Sequence, residues 1–508
     1  MASVRVPACC LLLLASCNES DKRAKLDPVM PTSCQAGQTL VWTGTAWACT
    51  TPTLDTLACQ SGESLGWDGT GWACVAQPPV SRWLDVMTLG ATGDAATDDT
   101  AAVQAALDQA AGQAGTVFFP TGRYVVEDLT VASSVTIRGE GIGRSVLLLK
   151  ADSANGADIL NNADQTNGNT KIRLLDLTFD GNKQAQSTPT HQLVNFFEVD
   201  DFVVERCELR ASLGNGLVIQ KGSGRGYIGN SWAHDNEYIG FYAQERDGSS
   251  VHQLRFVGCI SNDNGQGYGL FDSGGASYVG CLAQGNVTES GFNFDSARYV
   301  ALSGCVARGN ARGFATWSSG SQRAHDISFS GCVAEGNGPD GFDPNGATGF
   351  QVSGSYNITF SGCQARNNTN TGFLVQTVDS AEQAEMVSIA ASTASLNGRF
   401  GIWLRGARLV TVSAAVITDN SQEAAGSFDG IRIGDGAGEA TAVSSGRVSI
   451  VGSTITDTQL IPTQGYAVRS LGSSDQVRII ATDVAGNGES APIHLVGAEN
   501  STALNTGE

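Results

Sequence analysis

Lysine almost disappears from this chain of 508 residues. Six are present, the last at Lys221, so any cation working in the C-terminal half is an arginine or a metal ion. Charge as a whole is scarce, at 16% of residues, and one-sided: 30 Lys+Arg face 50 Asp+Glu, a formal charge of -20. That balance excludes general nucleic-acid binding, which depends on neutralising phosphates. An anionic polymer would need a local arginine cluster or a bridging cation. Proline is also rare, at 12 residues, and the glycines follow no three-residue period, which excludes collagen. Long hydrophobic runs are missing. The one apolar run, residues 8–16, is too short to span a bilayer. What the chain does have is 63 glycines and 41% hydrophobic residues. This is enough for a large core and more than one folding unit, and it argues against disorder.

The run at 8–16 follows Arg5 and ends in Leu14-Ala15-Ser16-Cys17. A short basic segment, an apolar stretch and small residues make a signal peptide, and the ending resembles a bacterial lipobox. Residues 1–17 are therefore expected to be a lipoprotein signal peptide with Cys17 as the lipidated residue. A plain cleaved signal is the alternative. The expected location is export to the cell surface or outer membrane, or secretion, with membrane contact only through the lipid anchor.

Thirteen cysteines fall into three groups. Cys9, Cys10 and Cys17 belong to the leader. Cys34, Cys49, Cys59 and Cys74 bracket two copies of Cys-x2-Gly-x2-Leu-x-Trp-x-Gly-x2-Trp-x-Cys within residues 32–75. Each copy reads as a tight hairpin with cross-strand tryptophans. A two-stranded hairpin is marginal alone, and an exported chain can close each loop with a disulfide contributing about 3 kcal/mol. The spacing lacks the close ligand pairs of a zinc site. Two disulfide hairpins forming a stalk, flanked by linkers at 18–31 and 76–85, are expected. Sugar binding by their tryptophans is the alternative.

The third group, Cys207, Cys259, Cys281, Cys305, Cys332 and Cys363, recurs through the body. The dipeptides Gly258-Cys259, Gly280-Cys281, Gly304-Cys305, Gly331-Cys332 and Gly362-Cys363 are spaced by 22, 24, 27 and 31 residues. A second column runs Asn236, Asn264, Asn286, Asn310, Asn337, Asn367, Asn397, Asn420, each followed by glycine and a short alternating strand. Units of this length that repeat are coils of a solenoid, which bury a core only by stacking. The asparagines suit a hydrogen-bonded ladder, and the cysteines suit buried apolar positions rather than nucleophiles.

The segment Gly90-Ala91 to Thr97-Asp98-Asp99-Thr100 leads into Val103, Ala106, Leu107 and Ala110 at helical spacing. It resembles the opening of the pectate-lyase-like superfamily. The resemblance implies an all-β, right-handed parallel β-helix over 86–500, with an N-terminal capping helix. Asp176-Leu177-Thr178-Phe179-Asp180-Gly181-Asn182, Ala233-His234-Asp235-Asn236 and Ala491-Pro492-Ile493-His494-Leu495 further resemble the catalytic module of the mannuronan C-5 epimerases. That family's Tyr-Gly-Phe-Asp-Pro-His signature is met by Asp-Gly-Phe-Asp-Pro-Asn at 340–345, which keeps the Asp343 carboxylate and loses the tyrosine and histidine.

Strand alternation divides inward from outward residues. With Phe292 and Phe294, Phe342 and Pro344, and Ile402 and Leu404 inward, one outer face should carry Tyr242, Gln244, Phe271, Asn293, Asp295, Trp317, Asp343, Asn345, Gln376, Trp403, Arg405 and Arg432. Aromatic platforms among planar polar groups suit sugar rings. Asp343, Asp295 and Arg405 are the expected catalytic groups, and Tyr242, Phe271, Asn293, Trp317, Asn345, Gln376, Trp403 and Arg432 the substrate-binding ones. The expectation is an exported protein that binds and modifies an acidic polysaccharide by lyase or C-5 epimerase chemistry. A non-catalytic adhesin or structural β-helix is the alternative. An inverting hydrolase is a further one, since Asp295 and Asp343 two coils apart would stand about 9.6 Å from each other. No cofactor is required, and Ca2+ as a bridging ion is left open.

Overall fold

The computed structural model describes residues 39–42, 47–50, 63–67, 72–76 and 83–507, except 189–191, 320–321, 339–345, 379–381, 435–443, 473 and 498. It divides into two compact units, Met1–Val80 and Ser81–Glu508.

The first unit holds two antiparallel hairpins, Thr39–Trp42 with Trp47–Thr50 and Glu63–Trp67 with Trp72–Ala76. Trp42 lies opposite Trp47, and Trp67 opposite Trp72, in agreement with the repeat motif. Cys17, Cys34 and Cys59 lie outside the described residues.

In the second unit each coil away from the ends contributes one strand to each of three parallel sheets, of 16, 14 and 14 strands. One coil shows the pattern. Arg298–Ser303 belongs to the first sheet, Val306–Arg308 to the second and Arg312–Trp317 to the third. The next coil pairs with it in register, Val300 against Ile327, Val306 against Val333 and Phe314 against Phe350. The helix α1 (Thr100–Ala111) lies at the N-terminal end and buries Val103, Ala106, Leu107 and Ala110, as its spacing requires. Buried Asp99 accepts from the backbone N–H groups of Thr92 (2.7 Å) and Gly93 (3.1 Å), tying the preceding turn to it.

The core is a set of side-chain columns. Tyr268, Phe292, Phe314, Phe350 and Phe373 stack face to face at 4.5, 4.8, 4.9 and 4.8 Å. A facing column pairs Phe256 with Tyr278 at 4.7 Å and Phe329 with Phe360 at 4.8 Å. Ring offsets of this size let each residue bury its full area and gain stacking besides, about 0.5–1.5 kcal/mol per pair.

Two tight turns per coil explain the two sequence columns. The residue before each body cysteine takes a left-handed conformation. Glycine supplies it at 258, 280, 304, 331 and 362, while Asn230 and Ala391 do so where serine replaces the cysteine. All six body cysteines are buried free thiols. The thiols of Cys207 and Cys259 reach the carbonyl oxygens two residues back, at 3.5 and 3.7 Å. The Ser231 hydroxyl donates to the equivalent carbonyl at 2.9 Å. Cysteine here is thus a serine-sized turn residue, and burial pushes the Cys207 thiol up to about 12.

At the second turn the side chains of Asn236, Asn264, Asn286, Asn310, Asn337, Asn368, Asn397 and Asn420 form a continuous ladder. Each carboxamide donates to the next side-chain oxygen at 2.7–3.3 Å. Gln464 and Asn487 extend it, each link 2.9 Å. The ladder residue of its coil is Asn368, not Asn367 as the spacing suggested. Asn367 occupies the preceding left-handed position, φ 54°, where sister coils place Gly285, Gly309 and Gly336.

A second correction concerns the next coil. The ring stacked on Phe314 is Phe350, not Phe342, so the strand opens at Gly349 and its outward residues are Gln351 and Ser353. Asp343 and Asn345 lie outside the described residues. The position two coils from Asp295 on its own column is Ser353, which removes the register argument for an Asp295–Asp343 pair.

Candidate functional site

The third sheet builds the candidate site, because its strands are stacked in register along the whole solenoid. Its outward side chains form two columns. One reads Tyr242, Gly269, Asn293, Ala315, Gln351, Leu374, Trp403, Arg432, Arg469, His494. The other reads Gln244, Phe271, Asp295, Trp317, then after an unpaired step Ser353, Gln376, Arg405. Of the residues expected on this face, all that are described do stand in these columns.

They form three groups along the face. At the N-terminal end the Tyr242 ring meets Phe271 edge-on at 5.5 Å, and its hydroxyl donates to the Gln244 side-chain oxygen. Burial raises the Tyr242 hydroxyl to about 12. Phe271 leans over Gly269, where a Cβ would come within 2.5 Å of the ring, so a larger residue there would displace Phe271.

In the middle, Asp295 accepts from the Ser319 N–H at 3.1 Å and from the Ser319 hydroxyl. Asp272, one strand earlier and in a left-handed turn, has its carboxyl pushed up by burial and then by the nearby Asp295 and Glu245. Trp317 lies under the Arg312 guanidinium, Cζ to ring 5.4 Å, and Arg312 pairs with Glu289 at 3.0 Å. Asn293 is buried, with its carboxamide oxygen unpartnered among the described residues.

Toward the C-terminal end, Gln376 donates to the Ser353 hydroxyl at 3.0 Å. Trp403 is only 7% exposed, so the expected open platform is not there: Phe400 and Phe428 pack with it and Leu374 in a satellite cluster outside the sheet. Arg405 lies over Trp403 at 5.5 Å and Arg432 over Phe400 at 4.7 Å, Arg432 also pairing with buried Asp429. Arg469 lies over Tyr466 at 4.9 Å.

The expected catalytic set is not brought together. Asp295 and Arg405 are four coils apart, about 19 Å by strand spacing, too far to act on one sugar. Sequence reasoning also passed over Gln266, Glu289 and Arg312, which stand just before the marker glycines. The signal was present in the polar residues that stand one place before Gly267 and Gly313 and two places before Gly291.

On the second sheet it missed an ionic network. His234 lies between Glu208 (3.1 Å) and Asp235 (2.6 Å), and Arg210 joins Glu208 to Asp180. Trp232 stacks on the His234 ring at 3.9 Å. Burial opposes the imidazolium, but the two carboxylates outweigh it and raise the histidine above its ordinary value. Among the described residues there is no group of three or more His, Cys, Asp or Glu side chains placed to hold a metal ion.

Comparison with known proteins agrees with the fold. Residues 83–293 match the family described as rhamnogalacturonase A/epimerase, pectate lyase-like, and residues 322–506 match right handed beta helix region. Mannuronan C5-epimerase AlgE3 of Azotobacter vinelandii is 32% identical over 179 residues, 32% of this chain and 10% of that protein. Alginate lyase 7 of the same organism is 31% identical over 210 residues, 36% of this chain and 22% of that protein. The chain thus spans about a tenth and about a fifth of these relatives. The N-terminal fragment of bacteriophage Phi29 gene product 12 superposes with a TM-score of 0.57 at 19% identity, covering 83% of this chain and 71% of that one. Sheet topology, both family matches and the superposition converge on a right-handed parallel β-helix, pectate lyase-like over residues 83–293.

Proposed function

We propose that this protein binds a polysaccharide lengthwise along the outer face of the third sheet. The observation that carries the reading is the pair of outward columns. Aromatic rings (Tyr242, Phe271, Trp317) alternate there with carboxylate, amide and guanidinium groups (Asp295, Gln376, Arg405, Arg432) on strands about 4.8 Å apart. Aromatic faces take sugar rings, and planar polar groups fix their hydroxyls and carboxylates. The names of the mannuronan epimerase and alginate lyase relatives support an acidic polymer, and the arginines of the C-terminal coils supply the cations that such a polymer requires.

Lyase or C-5 epimerase chemistry on that polymer is the second part of the reading. A proton must leave the carbon beside the carboxylate, which needs a base, a donor and a neutralising group. Asp343, carried over from the epimerase signature, and Asp272, with its raised carboxyl, are the proposed proton-transfer groups.

Incubating the full chain with polymers of mannuronate, guluronate and galacturonate, with and without calcium, tests both parts. Ultraviolet absorbance reports unsaturated products and proton NMR reports epimerised ones. Turnover that is lost in D343A or D272N supports catalysis, binding without products supports the adhesin alternative, and no binding to any polymer refutes the reading. Export and lipidation at Cys17 are proposed with it, and labelled fatty acid incorporated into wild type but not into C17A is the expected result.

A further inference from the structure

Beside the Tyr242 end of the face lies a recess of about 310 Å³, lined by Glu237, Tyr238, Tyr242, Gln266, Thr288 and Glu289 among others. Its chemistry differs from the rest of the groove. Both carboxylates already hold a cation, Lys183 on Glu237 at 2.6 Å and Arg312 on Glu289 at 3.0 Å. In each pair the cation is the less exposed partner, 35% against 52% and 5% against 39%. The recess therefore presents carboxylate oxygens, with the positive charge behind them. Asn293, more than nine-tenths buried, donates to the Gln266 side-chain oxygen at 3.5 Å and leaves its own carboxamide oxygen unpartnered among the described residues. Most of the lining is apolar, two tyrosine rings included, and its charged groups are the two carboxylates.

We propose that this recess binds an uncharged pyranose through its hydroxyl groups. Hydroxyls are donors in every direction that the acceptors ask for, and the tyrosine rings offer the apolar faces against which a pyranose packs. A uronate carboxylate would meet Glu237 and Glu289 with like charge. A protonated amino sugar would compete with Lys183 and Arg312, which already neutralise both.

The opposite end of the same face reverses these properties. Trp403, Arg432, Arg469 and His494 follow one another in register. Seven strand steps, about 34 Å, separate the Tyr242 strand from the Arg432 strand, room for several sugar rings. The groove is thus polarised, with a neutral-sugar end and an anionic-sugar end, and it fits a polymer that contains both kinds of residue. This inference rests on the reading of the face as a polysaccharide groove.

Calorimetric titration of the full chain tests it. The probes are mannohexaose, cellohexaose and xylohexaose as neutral ligands, hexamannuronate and hexagalacturonate as acidic ones, and chitosan hexamer as a cationic one. The expected result is binding of at least one neutral hexasaccharide, weakened tenfold or more in Y238A and in E237Q. Tyr238 and Glu237 are exposed enough for both variants to fold. R308A on the second sheet, outside the groove, is expected to bind as wild type does. Binding of uronate oligomers without any neutral one would overturn the proposal and leave the groove reading standing. Binding of chitosan alone would overturn it in favour of a cationic sugar, and silence from every probe would overturn both.

Discussion

The corrected register of the asparagine ladder can be tested at two adjacent residues. Asn368 is buried, and its side chain makes four hydrogen bonds: it donates to the Ala334 carbonyl (3.1 Å) and the Asn397 side-chain oxygen (2.9 Å), and accepts from the N–H (3.2 Å) and carboxamide (2.7 Å) of Asn337. In N368A two of these losses are absorbed. The Asn337 carboxamide keeps the Ala307 carbonyl, and the Asn397 oxygen keeps the Asn368 N–H. The Asn337 N–H and the Ala334 carbonyl lose their side-chain partner in a dry interior, at about 1–3 kcal/mol each, so N368A should cost about 2–6 kcal/mol. Asn367 is exposed in a left-handed turn where three sister coils use glycine. N367G should therefore stay within about 0.5 kcal/mol of wild type. Urea unfolding followed by circular dichroism measures both. Equal loss in the two variants, or a larger loss in N367G, would refute the ladder assignment.

Three further outcomes follow from the structure. His234 is raised by Glu208 and Asp235, so its contribution is fully present below the pKa of an unfolded histidine, 6.5, and is lost as pH rises through the higher folded value; stability should fall as pH rises above that point, and less so in H234Q. C305S should unfold within about 1.5 kcal/mol of wild type, because Ser231 and Ser392 already fill the same turn position and donate to the same kind of carbonyl at 2.9 Å; a loss of several kcal/mol would show that the thiol column is more than a space-filling turn. F314A removes a ring stacked on Phe292 and Phe350 and should cost about 3–5 kcal/mol, read as a lower denaturant midpoint.

The fold was legible in the sequence because its determinants repeat. A coil must supply a turn residue before each cysteine, an asparagine at the next turn and an apolar residue at alternate strand positions, and eight or more coils state these demands in turn. Even so, a single coil could mislead. The sequence at 339–345 contains Gly-Phe with the same spacing as a strand opening, and only the pairing of Phe314 with Phe350 shows which strand follows in register. The Asn367-Asn368 doublet misled in the same way, since either residue satisfies the pattern and only backbone conformation separates them. For the site, alternation placed the outward residues correctly but could not say what covers them. Trp403 points away from the core and is still buried, because Phe400 and Phe428 arrive from turns whose paths no periodicity encodes. The second-sheet network was missed for a related reason. Glu208, Arg210 and His234 come from short strands of three residues, in which one inward position gives too little alternation to mark the outward pair.

This difference in legibility has a physical origin in the solenoid. Inward positions are coupled through the stack, so a wrong residue in one coil disturbs the columns above and below it, and the pattern is enforced at every turn. Outward positions on a β-face are held by the same backbone but exert little force on it. Ala315, Leu374 and Arg432 occupy one column with no common chemistry. Such a face can be rewritten coil by coil without loss of stability, which is why a shared β-helix carries so little information about which sugar is bound or what is done to it. The features that do constrain chemistry here are those the stack would not produce by itself: the buried Asn293 oxygen without a donor among the described residues, the carboxylates of Glu237 and Glu289 with their cations behind them, and the run of Arg432, Arg469 and His494 in a chain that is otherwise strongly acidic. Each departs from what packing requires, and the proposed sugar recognition at the two ends of the third-sheet face rests on them.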